Sequence, residues 1–237
     1  MIQFDSPSLH LVHPSGSETE LFFVRHGQTS ANVQRLYAGS TDVPLDDMGR
    51  YQASRVAERF RDIAIDAIVS SPLQRAHYTA QQIGLVTGHV PVLMTGIQEM
   101  HFGDAEMLTL DEVNVKWPRL MEQETNLGLT EFRWPNGESD IEFTARVVDS
   151  MNSVMRDYPN QRVAVVCHGG VIAQVLNYLN NGDRGGNMQY SIANCSITHL
   201  HVSSRETIIH YWNDHSHLEY ALGSIDIEDD IVEEAAS

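Results

Sequence analysis

The chain is expected to fold as an α/β protein, a three-layer α/β/α sandwich built on a mostly parallel central sheet. Short apolar runs at residues 21–24, 67–69 and 163–167 each end in a turn signal, which is how strands buried on both faces of a parallel sheet read. Segments with helical spacing alternate with these runs, the arrangement of βα units. A length of 237 residues, 42% of them hydrophobic and 20% charged, is enough for one large core and ordinary for a globular domain.

Residues 1–19 contain Pro7, Pro14 and Gly16 without a sustained period and are expected to form an N-terminal extension outside the core, with a partial strand or hairpin as the most it would hold. The first strand runs into Arg25-His26-Gly27, where the glycine permits a turn and a close approach to a ligand. Residues 30–43 are polar and read as a loop. Apolar positions from Met48 to Phe60 have helical spacing, with Asp46 or Asp47 as the N-cap. A second strand at 66–70 leads into Ser70-Ser71-Pro72, with proline expected early in a helix that reaches about residue 86. Residues 90–94 form a third strand candidate. From 99 to 136 the pattern loosens into a helical and loop excursion, expected to cap the site and set specificity. A helix over 138–158, the strand at 163–167, a helix over 171–179 and a strand pair at 197–202 and 207–212 complete a domain assigned to residues 20–222. Residues 223–237 form an acidic tail of the kind that stays solvated.

The formal charge of −17 disfavours nucleic acid and anionic membrane surfaces, which require a basic face. No run approaches the length of a membrane span, no signal peptide is visible, and the two cysteines, Cys167 and Cys195, do not form a disulfide framework. A cytoplasmic location is the expectation. The apolar edge segments are compatible with a homodimer without requiring one.

Chemistry concentrates at three strand ends. His26-Gly27 and His168-Gly169 each follow a buried strand, and Arg75 falls in the first turn of the helix after Ser71-Pro72. In open α/β sheets, ligands bind beyond the carboxyl ends of the strands, and helix N-termini suit anions. Two arginines and two histidines at one sheet edge make a basic cluster in an acidic protein. Phosphoryl transfer needs that combination of charge clamp and in-line nucleophile.

Four blocks, Arg25-His26-Gly27-Gln28-Thr29 with Asn32, Ser70 to Ala76 with Thr79-Ala80, Glu99 with Gly103 and Glu106, and Val166-Cys167-His168-Gly169-Gly170, occur in the order seen in the histidine phosphatase superfamily, the phosphoglycerate-mutase-like clan, which the chain resembles. The resemblance implies a role for each matching residue. His26 is the nucleophile that becomes phosphorylated. Arg25, Arg75 and His168 hold the phosphoryl oxygens, together with the Gly169 turn, and Asn32 donates a further hydrogen bond. Glu99 acts as proton donor and then base. No cofactor or metal is implied, since the arginines act as the charge clamp, and the partner is a small phosphorylated metabolite. Relatives place a polar side chain near Ala38, for which Ser40, Thr41 or a backbone N–H are the substitutes. His101 is a rival proton donor, and the loop Asp104-Ala105-Glu106-Met107 departs from the family pattern.

Hydrolysis is expected rather than phosphoglycerate mutation. Between Glu99 and Glu142 there are 11 acidic residues against Lys116, Arg119 and Arg133, a field that repels a bisphosphorylated acid. A regulatory domain that binds phosphoesters without turning them over is the reading from a different class. His215 and His217 have His-x-His spacing but fit a structural role better than metal ligation, and Trp117, Trp134 and Cys167 read as packing residues.

Overall fold

The structure, a computed structural model, describes residues 16–120, 132–181 and 190–219. Its strands are β1 (Glu18–Arg25), β2 (Ala67–Ser70), β3 (Val92–Leu93), β4 (Arg162–Cys167), β5 (Ile197–Ser203) and β6 (Thr207–Asp214). The helices are α1 (Ser30–Val33), α2 (Asp47–Arg59), α3 (Gln74–Thr87), α4 (Leu110–Lys116), α5 (Asp140–Asp157), α6 (Gly169–Asn181) and α7 (Ser216–Glu219). One six-stranded sheet has the order β3-β2-β4-β1-β5-β6. The pairs β2–β3, β2–β4 and β1–β4 are parallel, whereas β5 runs against both β1 and β6.

Strand side chains alternate between two cores. Leu21 and Phe23 of β1 join Val163, Val165 and Cys167 of β4 under α5 and α6, with Phe143, Val147, Met151 and Ile172 from the helices. Phe22 and Val24 face the other way with Ala164, Val166 and Ile68, against Val56 of α2, Phe60 at its C-cap and Ile83 of α3. The expected three-layer sandwich is therefore what forms. The apolar strands cannot expose either face, and each helix carries one apolar stripe with which to cover them.

Local capping sets the helix starts. Asp46 accepts the Gly49 N–H and begins α2. Ser139 and Glu142 form a capping box on α5, as Thr109 and Glu112 do on α4. Three expectations change. The polar stretch after Thr29 includes α1, because Thr29 and Asn32 close a capping box around it. Pro72 lies before α3 rather than inside it, because the Leu73 N–H is held by the Ser71 hydroxyl and Leu73 stays extended. β1 begins at Glu18, because β5 continues far enough to pair Glu18 with Ser203 and Thr19 with Val202. Residues 1–15, the acidic tail and part of the excursion lie outside the described residues. Among the described residues, no helix is long and apolar enough to cross a membrane.

Candidate active site

Three parallel strands end level with one another. Arg25 pairs with Cys167 across β1 and β4, and Ser70 pairs with Val166 across β2 and β4. The ladder continues one residue further, with the His26 N–H on the Cys167 carbonyl at 3.1 Å and the Ser71 N–H on the Val166 carbonyl at 2.9 Å. His26, Ser71 and His168 are thereby brought together, and the two imidazole centroids lie 5.1 Å apart. All three residues are buried, as is Arg75.

A hydrogen bond assigns the tautomer of the first imidazole. His26 Nδ1 lies 2.7 Å from the Gly27 carbonyl, which can only accept. Nδ1 therefore carries the proton and Nε2 the lone pair. His168 Nε2 lies 2.8 Å from Ser71 Oγ, and that hydroxyl already accepts the Leu73 N–H. With one lone pair left, it can donate its own proton to Nε2 or accept one from it. His168 Nδ1 is buried without a hydrogen-bond partner among the described residues, and so is the Arg25 Nε–H. Buried polar groups are nearly always paired, so two orphaned nitrogens on adjacent strand ends, one a guanidinium donor, mark a place for an anion.

Arg75 approaches from the first turn of α3 and is held by three carbonyls of one loop. Its Nη1 donates to Thr41 O at 2.9 Å, and its Nη2 donates to Gly39 O at 2.7 Å and Ala38 O at 3.1 Å. Arg25 Nη1 donates to the Ile192 carbonyl. Glu99 reaches the start of α6, where Oε2 accepts the Gly170 N–H at 3.0 Å. A Cβ at Gly170 would stand 2.3 Å from Glu99 Oε1 and push that carboxylate aside. Gly169, the first residue of α6, lies beside Arg25 Nε. Asn32 Oδ1 accepts from Thr29 and, at 3.3 Å, from Asn194 Nδ2, which also donates to the His26 carbonyl.

Burial pushes His26 well below the ordinary histidine pKa, and the Arg75 and Arg25 charges push in the same direction. His168 is lowered well below it too, by burial, then Arg75, His26 and Arg25. Both rings are neutral at neutral pH. Burial also lowers Arg25 and Arg75, with Glu99 as the largest opposing influence on each. A neutral imidazole with a free Nε2, two guanidinium groups and a carboxylate on a helix start are the parts of a phosphoryl-transfer site.

The family model of the histidine phosphatase superfamily (branch 1) matches residues 21–215. The chain belongs to the histidine phosphatase superfamily. It is 33% identical over 202 residues to the uncharacterized phosphatase PhoE of Bacillus subtilis, covering 84% of this chain and 97% of that one. Over 204 residues it is 33% identical to phosphoglycerate mutase-like protein 4 of Arabidopsis thaliana, covering 84% and 87%. The solved structure of mycobacterial glucosyl-3-phosphoglycerate phosphatase aligns with a TM-score of 0.74 at 27% identity, covering 83% of this chain and 99% of that one. Superfamily membership makes the chain an enzyme of phosphate-ester chemistry, of phosphatase or mutase type.

Within this superfamily member several sequence expectations are redrawn. Gly27 is needed for packing, because its Cβ would stand 2.3 Å from the Gly49 carbonyl of α2; the close neighbour is that helix. The loop near Ala38 offers the arginine its carbonyls, while its N–H groups are already used. Gly39, Ser40 and Thr41 donate theirs to Glu106, and Ser40 Oγ bonds both Glu106 and His101. His101 is drawn toward that loop with its side chain about half exposed, whereas Glu99 is the carboxylate that acts on both arginines. His217 Nε2 bonds the Cys195 carbonyl and His215 Nδ1 the Asn213 carbonyl. Trp134 packs within 5.3 Å of Tyr37, Phe102 and Phe132. Sequence reasoning missed the roles of Ser71 and Asn194; Ser71 stood inside a recognised block, but nothing in the linear pattern pointed to Asn194.

Proposed function

We propose that the chain hydrolyses a small phosphomonoester, without a metal, through a phosphohistidine on His26. The observation that carries this reading is the Nδ1–Gly27 carbonyl bond, which leaves Nε2 as the nucleophilic atom near Arg25 and the buried Arg75. Nε2 attacks phosphorus and forms a P–N bond as the ester P–O bond breaks. Arg25, Arg75 and His168 stabilise the equatorial oxygens. Glu99 supplies a proton to the leaving alkoxide, then removes one from the water that attacks the P–N bond. Phosphate leaves and His26 is restored.

Mutase activity is the second reading, supported by the mutase or mutase-like names of several relatives. The acidic excursion argues for hydrolysis, since its charge stays net negative even with Glu138 and Glu142 paired to Arg146 and Arg133. The complete set of nucleophile, acid and clamp argues against a binding domain without turnover. The test is phosphate release from a panel of phosphomonoesters, with and without chelator, for wild type and His26→Ala. Chelator-resistant turnover that falls about a thousandfold or more in the variant supports the reading. Turnover lost to chelator, or phosphoglycerate interconversion faster than phosphate release, overturns it.

A further inference from the structure

Arg146 and Glu138 lie outside every block that identified the site, yet they grip the segment that carries Glu99. Arg146 sits on α5, and all five of its N–H donors are engaged. Nε and Nη2 form a fork on Glu138 Oε1 and Oε2, both at 2.8 Å. Nη1 donates to the carbonyls of Gly96 at 3.0 Å and Gln98 at 2.9 Å, and Nη2 reaches the Glu99 carbonyl at 3.3 Å. Glu138 completes the grip from the far side. Its Oε2 accepts the His101 N–H at 2.9 Å, and its own N–H donates to the His101 carbonyl at 2.8 Å. Backbone groups before, at and after Glu99 are therefore tied to one ion pair. Gly96 brings the segment onto α5, with its Cβ position only 2.0 Å from Ser150 Oγ.

We infer that the Glu138–Arg146 pair is a positioning device for Glu99, setting the reach of its carboxylate toward the leaving oxygen. The inference rests on the reading of Glu99 as the general acid. Three carbonyls converging on one guanidinium are more than helix packing requires. Any loosening moves the Glu99 backbone relative to Gly170, the helix start on which its carboxylate rests. Bidentate geometry matters here, because a lysine offers charge without the planar fork. Phosphate binding is carried by other residues, so the pair acts on proton transfer rather than on affinity.

The experiment compares two esters. An alkyl phosphate such as glycerol 3-phosphate has a leaving group that needs a proton, whereas p-nitrophenyl phosphate releases a stable anion. Both are assayed with wild type, Glu99→Gln, Arg146→Lys and Glu138→Gln. The expectation is that Arg146→Lys lowers kcat/KM on the alkyl ester, which reports the step that needs the proton, by about ten- to a hundredfold, in line with the cost of small misplacements. Its kcat/KM on p-nitrophenyl phosphate changes less than about threefold, and Glu99→Gln shows the same selectivity in kcat/KM to a greater degree, while kcat on both esters also carries the loss of Glu99 as base in breaking the P–N bond. Equal losses of kcat/KM on both esters, or none, in Arg146→Lys overturn the inference while Glu99→Gln stays selective. If Glu99→Gln itself shows no selectivity, the acid assignment falls instead. Should Arg146→Lys fail to fold, Glu138→Gln carries the same expectation, since it keeps the side-chain shape and removes one half of the pair.

Discussion

Glu106 offers the sharpest test of how the site is held. Its Oε1 accepts the N–H groups of Ser40 at 2.9 Å and Phe102 at 3.1 Å, and its Oε2 accepts those of Gly39 and Thr41, each at 3.1 Å. The side chain is only 12% exposed, so water cannot readily replace the carboxylate. Glu106→Gln converts one acceptor oxygen into a donor, and whichever way the amide turns, two backbone N–H groups lose their partner. At about 1.5 kcal/mol for each hydrogen bond to a charged acceptor, the loss is about 3 kcal/mol. For a chain of this size that corresponds to a melting temperature lower by about 6–12 °C. The loop carries the carbonyls that hold Arg75, so KM for the ester rises as well. Burial pushes the Glu106 carboxyl up, but hydrogen bonds from Thr41, Ser40 and Phe102 outweigh it and keep the group below its ordinary value. Its stabilisation is therefore complete above the unfolded value near 4.3 and is lost as pH falls through the folded one. The gap between wild type and variant should narrow below about pH 4. Thermal unfolding followed by circular dichroism, paired with steady-state kinetics, measures both effects. A variant that melts within about 2 °C of wild type with unchanged KM refutes the reasoning.

Two further outcomes follow from buried groups elsewhere. His217 is driven by burial from 6.5 down to about 4, so its contribution is complete above pH 6.5 and disappears as the pH falls toward 4, about 3 kcal/mol in all. Urea unfolding across that range should show His217→Gln resisting acid better than wild type by that amount, and parallel curves would contradict the assignment. Gly27→Ala places a methyl group 2.3 Å from the Gly49 carbonyl, an overpacking that costs about 1–3 kcal/mol or more. Its melting temperature should fall by several degrees, and an unchanged value would show that α2 can move aside.

What was legible in the chain is what repeats or punctuates. Apolar runs ending in His-Gly announced β1 and β4 and placed His26 and His168 on one edge, because parallel pairing leaves the strand ends level. Helical periodicity found α2 and α5, and the proline after β2 announced α3. The features that escaped are side chains bonded to distant backbone. Glu106 meets a loop 65–67 positions earlier and Arg146 a turn 47–50 positions earlier, and such bonds leave no period. Gly27 was read as a close approach to a ligand and instead packs on α2, since a missing Cβ reads alike beside either. Pro72 looked like a helix start until the Ser71 hydroxyl, two residues from Leu73, proved to delay it.

The level strand ends also bear on the route by which activity arises. Ser71 and His168 are 97 positions apart, and Arg25 binds a carbonyl 167 positions away. Closing such long loops comes late in folding, because their entropy is lost before the contacts form. A chain with native helices but an incomplete β1–β4–β2 ladder has no catalytic pocket at all. Recovery of phosphate release during refolding therefore reports completion of the central sheet, and enzyme activity becomes a stopwatch for the last topological step rather than for collapse.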